Sequence, residues 1–122
     1  MVSRLVGSVL AAEWAFRAIR SARRQLAENP TSALAALPAV PPAAKTGAPG
    51  VAVALRVTRA SCLVRATVRQ AWYAAHGELR DVVIGVKAPA EGFAAHAWLD
   101  GDPQCHSDGF HELVRRAASM PR

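Results

Sequence analysis

The sequence predicts an α+β domain in which one helix packs on a small antiparallel sheet, with a helical arm at the N-terminus. Apolar residues recur at helical spacing over the first 28 positions and again from about 58 to 76. Two runs typical of β-strands follow, at 79–86 and 93–100, and the second alternates between two faces. A helix followed by antiparallel strands is the pattern of an α+β domain.

The N-terminal arm is predicted to be one helix that ends at Asn29-Pro30, because the residue before proline is driven out of the helical region. We expect an apolar stripe to face the core and a neighbouring arginine face to be solvated, or to dock on a partner or a membrane. A Pro-rich linker follows at 29–50, with a short helical turn at Ser32–Leu37. The sequence thus divides into an arm and linker (1–50) and a compact domain (51–122). The apolar stripe of the N-terminal helix is predicted to comprise Leu5, Val9, Ala12, Phe16 and Ile19.

The compact part opens with a helix whose N-cap is Thr58 or Ser61 and whose stop signal is Gly77. The segment "KAPAEG" fits a hairpin connection between the two strands, and "FHELVRRAA" is predicted to be a short C-terminal helix. The buried stripe of the first helix is predicted to comprise Val64, Val68, Ala71, Trp72 and Ala75.

The charge balance narrows the choice of partners. Fifteen Lys and Arg against nine Asp and Glu give a net charge of +6, which favours an acidic partner, a polyanion or an anionic membrane surface. The basic residues are not interleaved with aromatics, which disfavours nucleic acid. We expect a cytoplasmic protein, since the apolar start is closed by Glu13 and nothing else indicates secretion.

The two cysteines, Cys62 and Cys105, are too few for a disulfide scaffold, and we interpret them as free thiols. A single bridge between them remains an alternative. Cys62 falls in the first turn of a predicted helix, where the helix dipole favours a thiolate and unpaired N–H groups can hold an oxyanion. The position therefore suits a nucleophile, although a lone cysteine is often simply a small buried residue.

His96 is the best candidate for the base that such a nucleophile needs. It lies in mid-strand between Ala95 and Ala97, whose small side chains leave room for a substrate, and Trp98 on the same face can shield the site from water. A half-buried, hydrogen-bonded histidine is the competing interpretation. His76 lies roughly 20 Å away at the far end of the helix.

A carboxylate must orient the base. Asp100 shares the face of His96 but lies ~13 Å along the strand. Asp108 follows after enough residues for the chain to return alongside His96, and Asp102 is the alternative. The resulting order of Cys, His and Asp is that of papain-fold relatives of the transglutaminase type.

A metal site is disfavoured because Cys62, His96, Cys105 and His106 lack the usual ligand spacing. There is no Gly-rich phosphate loop or nucleotide fingerprint, so we predict no cofactor.

The segment "SCLVRATVRQAWYAAHGELRDVVIGVKAPAEGFAAHAWLDGD" resembles the core of the lasso-peptide leader peptidases. Three pieces carry the resemblance: Cys-Leu-x-Arg opening a helix, the "VVIGV" strand, and "FAAHAWLD" with its histidine and tryptophan. The resemblance covers about residues 57–110, and the AHAW segment is its most specific element. The arginine-rich helix and "ALAALP" also fit the N-terminal arm of that family.

This resemblance implies a cysteine protease of papain/transglutaminase-like fold that removes the leader from a ribosomally made precursor, so that a cyclase can close the macrolactam. By position, Cys62 matches the nucleophile and His96 the base. Asp108 matches the third member by spacing, although "CHSDGF" diverges from the usual segment there. The short N-terminal part has no room for a leader-recognition domain, so we expect a separate recognition protein to deliver the precursor.

Two other interpretations stay open on the residues alone. The same three side chains support acyl transfer to an amine, because only the acceptor differs. A catalytically silent module of this fold would bind a peptide in its groove. The basic arm is predicted to meet the cyclase, the recognition protein or a membrane, and the sequence does not choose among them.

Overall fold

The computed structural model of the chain describes residues 2–28, 37–87, 92, 94–102 and 109–118. It consists of three α-helices, a short 3₁₀ turn and a three-stranded antiparallel sheet, in the order α1 (Val2–Glu28), the 3₁₀ turn (Pro42–Ala44), α2 (Ala48–Val57), α3 (Cys62–Ala75), β1 (Val82–Lys87), β2 (Ala95–Leu99) and β3 (Phe110–Arg116). The predicted α+β class, with a helix packed on a small antiparallel sheet behind an N-terminal helix, is confirmed.

The helices lie in layers on one face of the sheet. α3 packs on β2 and β1, and α1 packs in turn against α2 and α3. The contact between α1 and α3 is centred on Trp14 and Trp72, whose ring centroids are 5.7 Å apart. The indole N–H of Trp14 also donates to the carbonyl of Pro38 at 2.7 Å, which ties part of the Pro-rich stretch to α1. The proposed division at residue 50 stays a prediction.

The predicted extent of α1 is correct, but its predicted buried face is wrong. Ile19 is buried, whereas Leu5, Val9 and Phe16 are 68%, 60% and 42% exposed. The buried face consists instead of small residues around Trp14, which let neighbouring helices approach closely. These residues are Gly7, Ala11, Ala15, Ala18 and Ala22.

α2 was missed by the sequence analysis, which assigned its first residues to the linker. Its start carries Pro49, a residue favoured in the first turn of a helix. Gly50 then lies so close to α1 that any side chain there would collide with the main-chain carbonyl of Ser8. Gly47 and Gly50, which contributed to the prediction of a linker, are therefore positions of close helix packing.

α3 begins and ends close to the predicted positions, and Ser61 is its N-cap. Its backbone is extended (φ −63°, ψ 162°), and its hydroxyl accepts the N–H of Val64 at 3.3 Å. Val64, Val68 and Trp72 are buried as predicted, facing α1 and α2. A second face of α3 carries Ala66, which packs with Val82 and Leu99 of the sheet, with Leu63 and Tyr73 alongside.

The sheet has the strand order β2-β1-β3, with both pairs antiparallel. The predicted hairpin between β1 and β2 is confirmed, and its register pairs Gly85 with His96 and Ile84 with Ala97. The predicted alternation on β2 is also confirmed for the described residues: Ala97 and Leu99 lie toward α3, and His96 and Trp98 lie on the other face.

The predicted C-terminal helix is wrong, because residues 110–116 form β3. This strand pairs with the second edge of β1, and a bulge falls between Ile84 and Gly85. The apolar residues Phe110, Leu113 and Val114 fit helical spacing, but the strand gains main-chain hydrogen bonds from β1 that a local pattern does not reveal. Its side chains from His111 to Arg115 are exposed.

Candidate active site

Cys62 is the first residue of α3, directly after the N-cap. The first N–H groups of a helix have no partner within it, and the Ser61 hydroxyl takes only that of Val64. The N–H groups of Cys62 and Leu63 therefore point out from the helix start. Cys62 itself is a free, half-buried cysteine. Because it is the first residue of α3, its thiol lies at the positive end of the helix dipole.

The structure brings the thiol of Cys62 against β2. Its sulfur accepts the main-chain N–H of Ala97, with an N···S distance of 3.4 Å between residues 35 positions apart in the sequence. The N of Ala97 is separated from the Cα of His96 by only two covalent bonds, so the Cys62 sulfur lies within ~6 Å of that Cα. The predicted nucleophile and the strand that carries the predicted base therefore meet.

The imidazole of His96 lies in an aromatic cluster. Its centroid is 5.9 Å from that of Trp98, with the planes at 26°, and 5.1 Å from that of Phe110. The ammonium of Lys87 lies over the ring of Phe110, 5.0 Å from its centroid. Two ring contacts restrict the orientation of a half-buried histidine, which is the property a catalytic base requires.

Gly85 makes this arrangement possible. It pairs with His96 across the β1–β2 ladder, and the indole of Trp98 lies over it. A Cβ at Gly85 would lie 2.9 Å from a ring carbon of Trp98, which is closer than carbon atoms pack. The absence of a side chain at Gly85 therefore creates the space for the indole that stacks on His96.

The three residues predicted to line the substrate site, Ala95, Ala97 and Trp98, differ in burial and in the face of β2 on which they lie. Trp98 is 9% exposed and shares the His96 face, as predicted, and its indole stacks beside the imidazole. Ala95 is exposed at the start of β2. Ala97 is buried toward α3, so it approaches Cys62 through its main chain.

Asp102, the alternative third member of the triad, is held away from Cys62. It is buried, and its carboxylate forms an ion pair with Arg69 at 3.2 Å. Arg69 lies seven residues, or ~10 Å, further along α3 than Cys62. Asp102 pairs with Arg69, so its carboxylate lies at this more distant part of the helix. Asp102 therefore anchors the turn after β2 to α3. Asp108 lies outside the described residues, and its predicted role stays a prediction.

The other predicted alternatives are resolved only in part. His76 caps α3 and lies between two carbonyl oxygens, those of Trp72 and Lys45, each 2.8 Å from a ring nitrogen. This confirms that it is remote from Cys62. Cys105 and His106 lie outside the described residues. Within the described ranges no group of three or more potential ligands is placed to hold a metal ion.

Two arginines of β3, Arg115 and Arg116, form hydrogen bonds at the end of the sheet where β1 begins and β2 ends. The guanidinium of Arg115 donates to the carboxylates of Glu112 at 2.7 Å and Asp100 at 2.9 Å, and these hydrogen bonds raise the pKa of Arg115. Burial lowers the pKa of Arg116, whose guanidinium donates to the hydroxyl of Thr67 at 2.5 Å. Asp100, which the sequence predicts to lie too far along the strand to orient His96, is thus paired with Arg115.

Residues 6–120 match the sequence profile of the transglutaminase-like superfamily. The chain belongs to this superfamily. No curated protein and no solved structure matches the chain significantly. The superfamily includes cysteine peptidases. The match covers most of α1, the other helices and the sheet, and so includes both Cys62 and His96.

Three features of this transglutaminase-like site were missed by the sequence analysis. Phe110 was assigned to a helix, which concealed its contact with His96. Gly85 gave only a weak signal, as a glycine inside a β-rich run. The N–H of Ala97 gave no signal, because a main-chain donor is independent of residue type.

Within the described part of the chain, no helix combines the length and apolar character needed to cross a bilayer.

Proposed function

We propose that this protein is a cysteine peptidase that removes the leader peptide from a ribosomally synthesised lasso-peptide precursor. The observation that carries the proposal is the contact of Cys62, at the start of α3, with the strand that holds His96. Membership of the transglutaminase-like superfamily supports cysteine-based acyl transfer. The resemblance of the segment around these residues to leader peptidases supports the choice of substrate.

In this reaction His96 takes the proton of the Cys62 thiol, and the sulfur attacks the carbonyl carbon at the junction of leader and core. The new C–S bond places negative charge on the carbonyl oxygen, which the N–H groups at the start of α3 stabilise. When the tetrahedral intermediate collapses, the C–N bond breaks and His96 gives its proton to the departing amine of the core peptide.

The leader then remains on Cys62 as a thioester. His96 takes a proton from water, the hydroxide adds to the thioester carbonyl, and the C–S bond breaks to release the leader with a free carboxylate. Asp108 orients His96 during both steps in this proposal. A separate recognition protein delivers the leader, and a cyclase uses the freed core amine, both in the bacterial cytoplasm.

The test is cleavage of a lasso-peptide precursor by the purified protein in the presence of the recognition protein, with products identified by mass spectrometry. Cys62→Ala and His96→Ala are expected to lower kcat by at least about a thousandfold. Cys105→Ala is the matched control and is expected to retain activity. Full activity of Cys62→Ala would refute the peptidase proposal.

The same assay separates hydrolysis from transfer to an amine. Hydrolysis gives a leader with a free C-terminal carboxylate, whereas an acyltransferase gives a leader joined to an added amine such as glycine methyl ester. Binding of the precursor by both wild type and Cys62→Ala without any cleavage would favour the peptide-binding module.

A further inference from the structure

The main-chain N–H of Ala97 points away from the sheet. At one end of the β1–β2 pair the N–H of Lys87 donates to the carbonyl of Ala94 at 2.9 Å. At the other end the N–H of Asp100 donates to the carbonyl of Asp81 at 2.9 Å. Hydrogen bonding alternates along an antiparallel ladder, so the even-numbered residues of β2 bond to β1 and the odd-numbered ones face outward. Ala97 is odd-numbered and makes no ladder bond to β1.

This outward N–H is directed at the sulfur of Cys62, 3.4 Å from the nitrogen. Among the strands of the described residues, β2 lies at an edge of the sheet, since the strand order places β1 on one side of it only. Edge N–H groups are normally left to water or to a further strand. Here the start of α3 occupies the edge, and the N–H meets a group that can become an anion.

A neutral sulfur is a weak acceptor, whereas a thiolate accepts a charge-assisted hydrogen bond. The N–H of Ala97 therefore stabilises the charged form of Cys62 more than the neutral form. The donor is fixed by the ladder on both sides of it, so it requires no reorganisation when the charge appears.

We propose that the main-chain N–H of Ala97 is a catalytic group, which holds the Cys62 thiolate and then the oxyanion of the acyl donor. This inference rests on the proposed acyl transfer at Cys62. The oxyanion forms on the carbon that the sulfur attacks, one atom away from the group that the N–H already contacts. The oxyanion site then combines donors from two elements: the start of α3 and the edge of β2.

The small side chain of Ala97 serves this arrangement. It is 5% exposed and lies toward α3, where a larger side chain would push the start of the helix away from the strand. The residue therefore acts through its backbone, and its side chain sets how close Cys62 approaches.

The test replaces the amide N–H with an ester oxygen, by incorporating lactic acid in place of Ala97 through nonsense suppression. The matched control is the same replacement at Ala95, which is exposed and whose N–H also faces outward on β2. Neither ester removes a ladder bond, so both variants are expected to unfold at the same temperature as each other. Two rates are measured: alkylation of Cys62 by iodoacetamide at pH 7, followed by mass spectrometry, and cleavage of the precursor.

The ester at Ala97 is expected to slow both alkylation and kcat by about tenfold, the effect of losing one hydrogen bond to a charged group. The ester at Ala95 is expected to change the alkylation rate less than twofold. Equal alkylation rates for the two esters would overturn the proposal. Slower alkylation in a protein whose wild type does not cleave the precursor would refute the proposed substrate and retain the thiolate donor, whereas slower alkylation with unchanged kcat would refute the role at the oxyanion.

Discussion

Replacing Gly85 with alanine tests the packing that orients His96. A Cβ at this position would lie 2.9 and 3.0 Å from two ring carbons of Trp98 and 2.7 Å from the carbonyl oxygen of His111. The carbonyl belongs to the backbone of β3 and cannot yield unless the strand moves. The indole can yield only by leaving its stacked position on His96.

The sign of the stability change is informative. Glycine in a strand normally costs about 0.5–1 kcal/mol relative to alanine, so an uncrowded replacement would stabilise the protein. Overpacking of a filled site costs about 1–3 kcal/mol. At the middle of these two ranges the balance is a net loss of about 1 kcal/mol, which corresponds to a fall in Tm of about 4 °C for a chain of this size.

The assay is thermal unfolding followed by circular dichroism, together with cleavage of the precursor. Gly85→Ala is expected to lower both Tm and kcat, because the displaced indole no longer restricts His96. In a Trp98→Leu background the same replacement is expected to cost less, since only the His111 carbonyl remains in the way. An unchanged or higher Tm for Gly85→Ala would refute this account of the aromatic cluster.

Three further predictions concern the helices and the charges. Ile19→Ala is expected to cost about 2–4 kcal/mol in urea unfolding, whereas Leu5→Ala, at a position 68% exposed, should change stability by less than about 0.5 kcal/mol. Equal losses would show that the buried face of α1 is misassigned. Arg69→Met should cost about 2 kcal/mol because it deprives the buried Asp102 carboxylate of its cation, and the double variant with Asp102→Asn should recover part of that loss. Arg116→Met should cost less than about 1 kcal/mol, since burial disfavours the charged guanidinium that it removes; a loss above about 2 kcal/mol would contradict this.

The elements that the sequence predicts well are those whose partner is nearby in the chain. α3 carries its own N-cap, and the β1–β2 hairpin has strict alternation on its second strand, so both follow from local patterns. β3 does not, because its conformation is set by the free edge of β1, about 30 residues earlier. Its apolar residues fit a helix equally well, and only tertiary pairing decides between the two.

The error on α1 has a different physical origin. Leu5, Val9 and Phe16 recur at helical spacing and so predict a buried stripe, but the buried face lies around Trp14 and is formed largely by small residues. The interface with α2 selects for close approach instead, and glycine and alanine provide it. In α1, glycine and alanine at helical spacing therefore mark the face that packs against α2.

In the candidate site, too, some features follow from the local sequence and others depend on how distant elements pack. The sequence indicates Cys62 and His96 as candidates because their side chains have distinctive chemistry in a recognisable local context, a helix start and a mid-strand position. What joins them is a hydrogen bond from the backbone of Ala97, and any residue except proline supplies that donor. The contribution of Ala97 comes from its place on an outward-facing edge and from its size. Both properties depend on how α3 docks on β2, so only a three-dimensional structure could assign Ala97 a role in the chemistry.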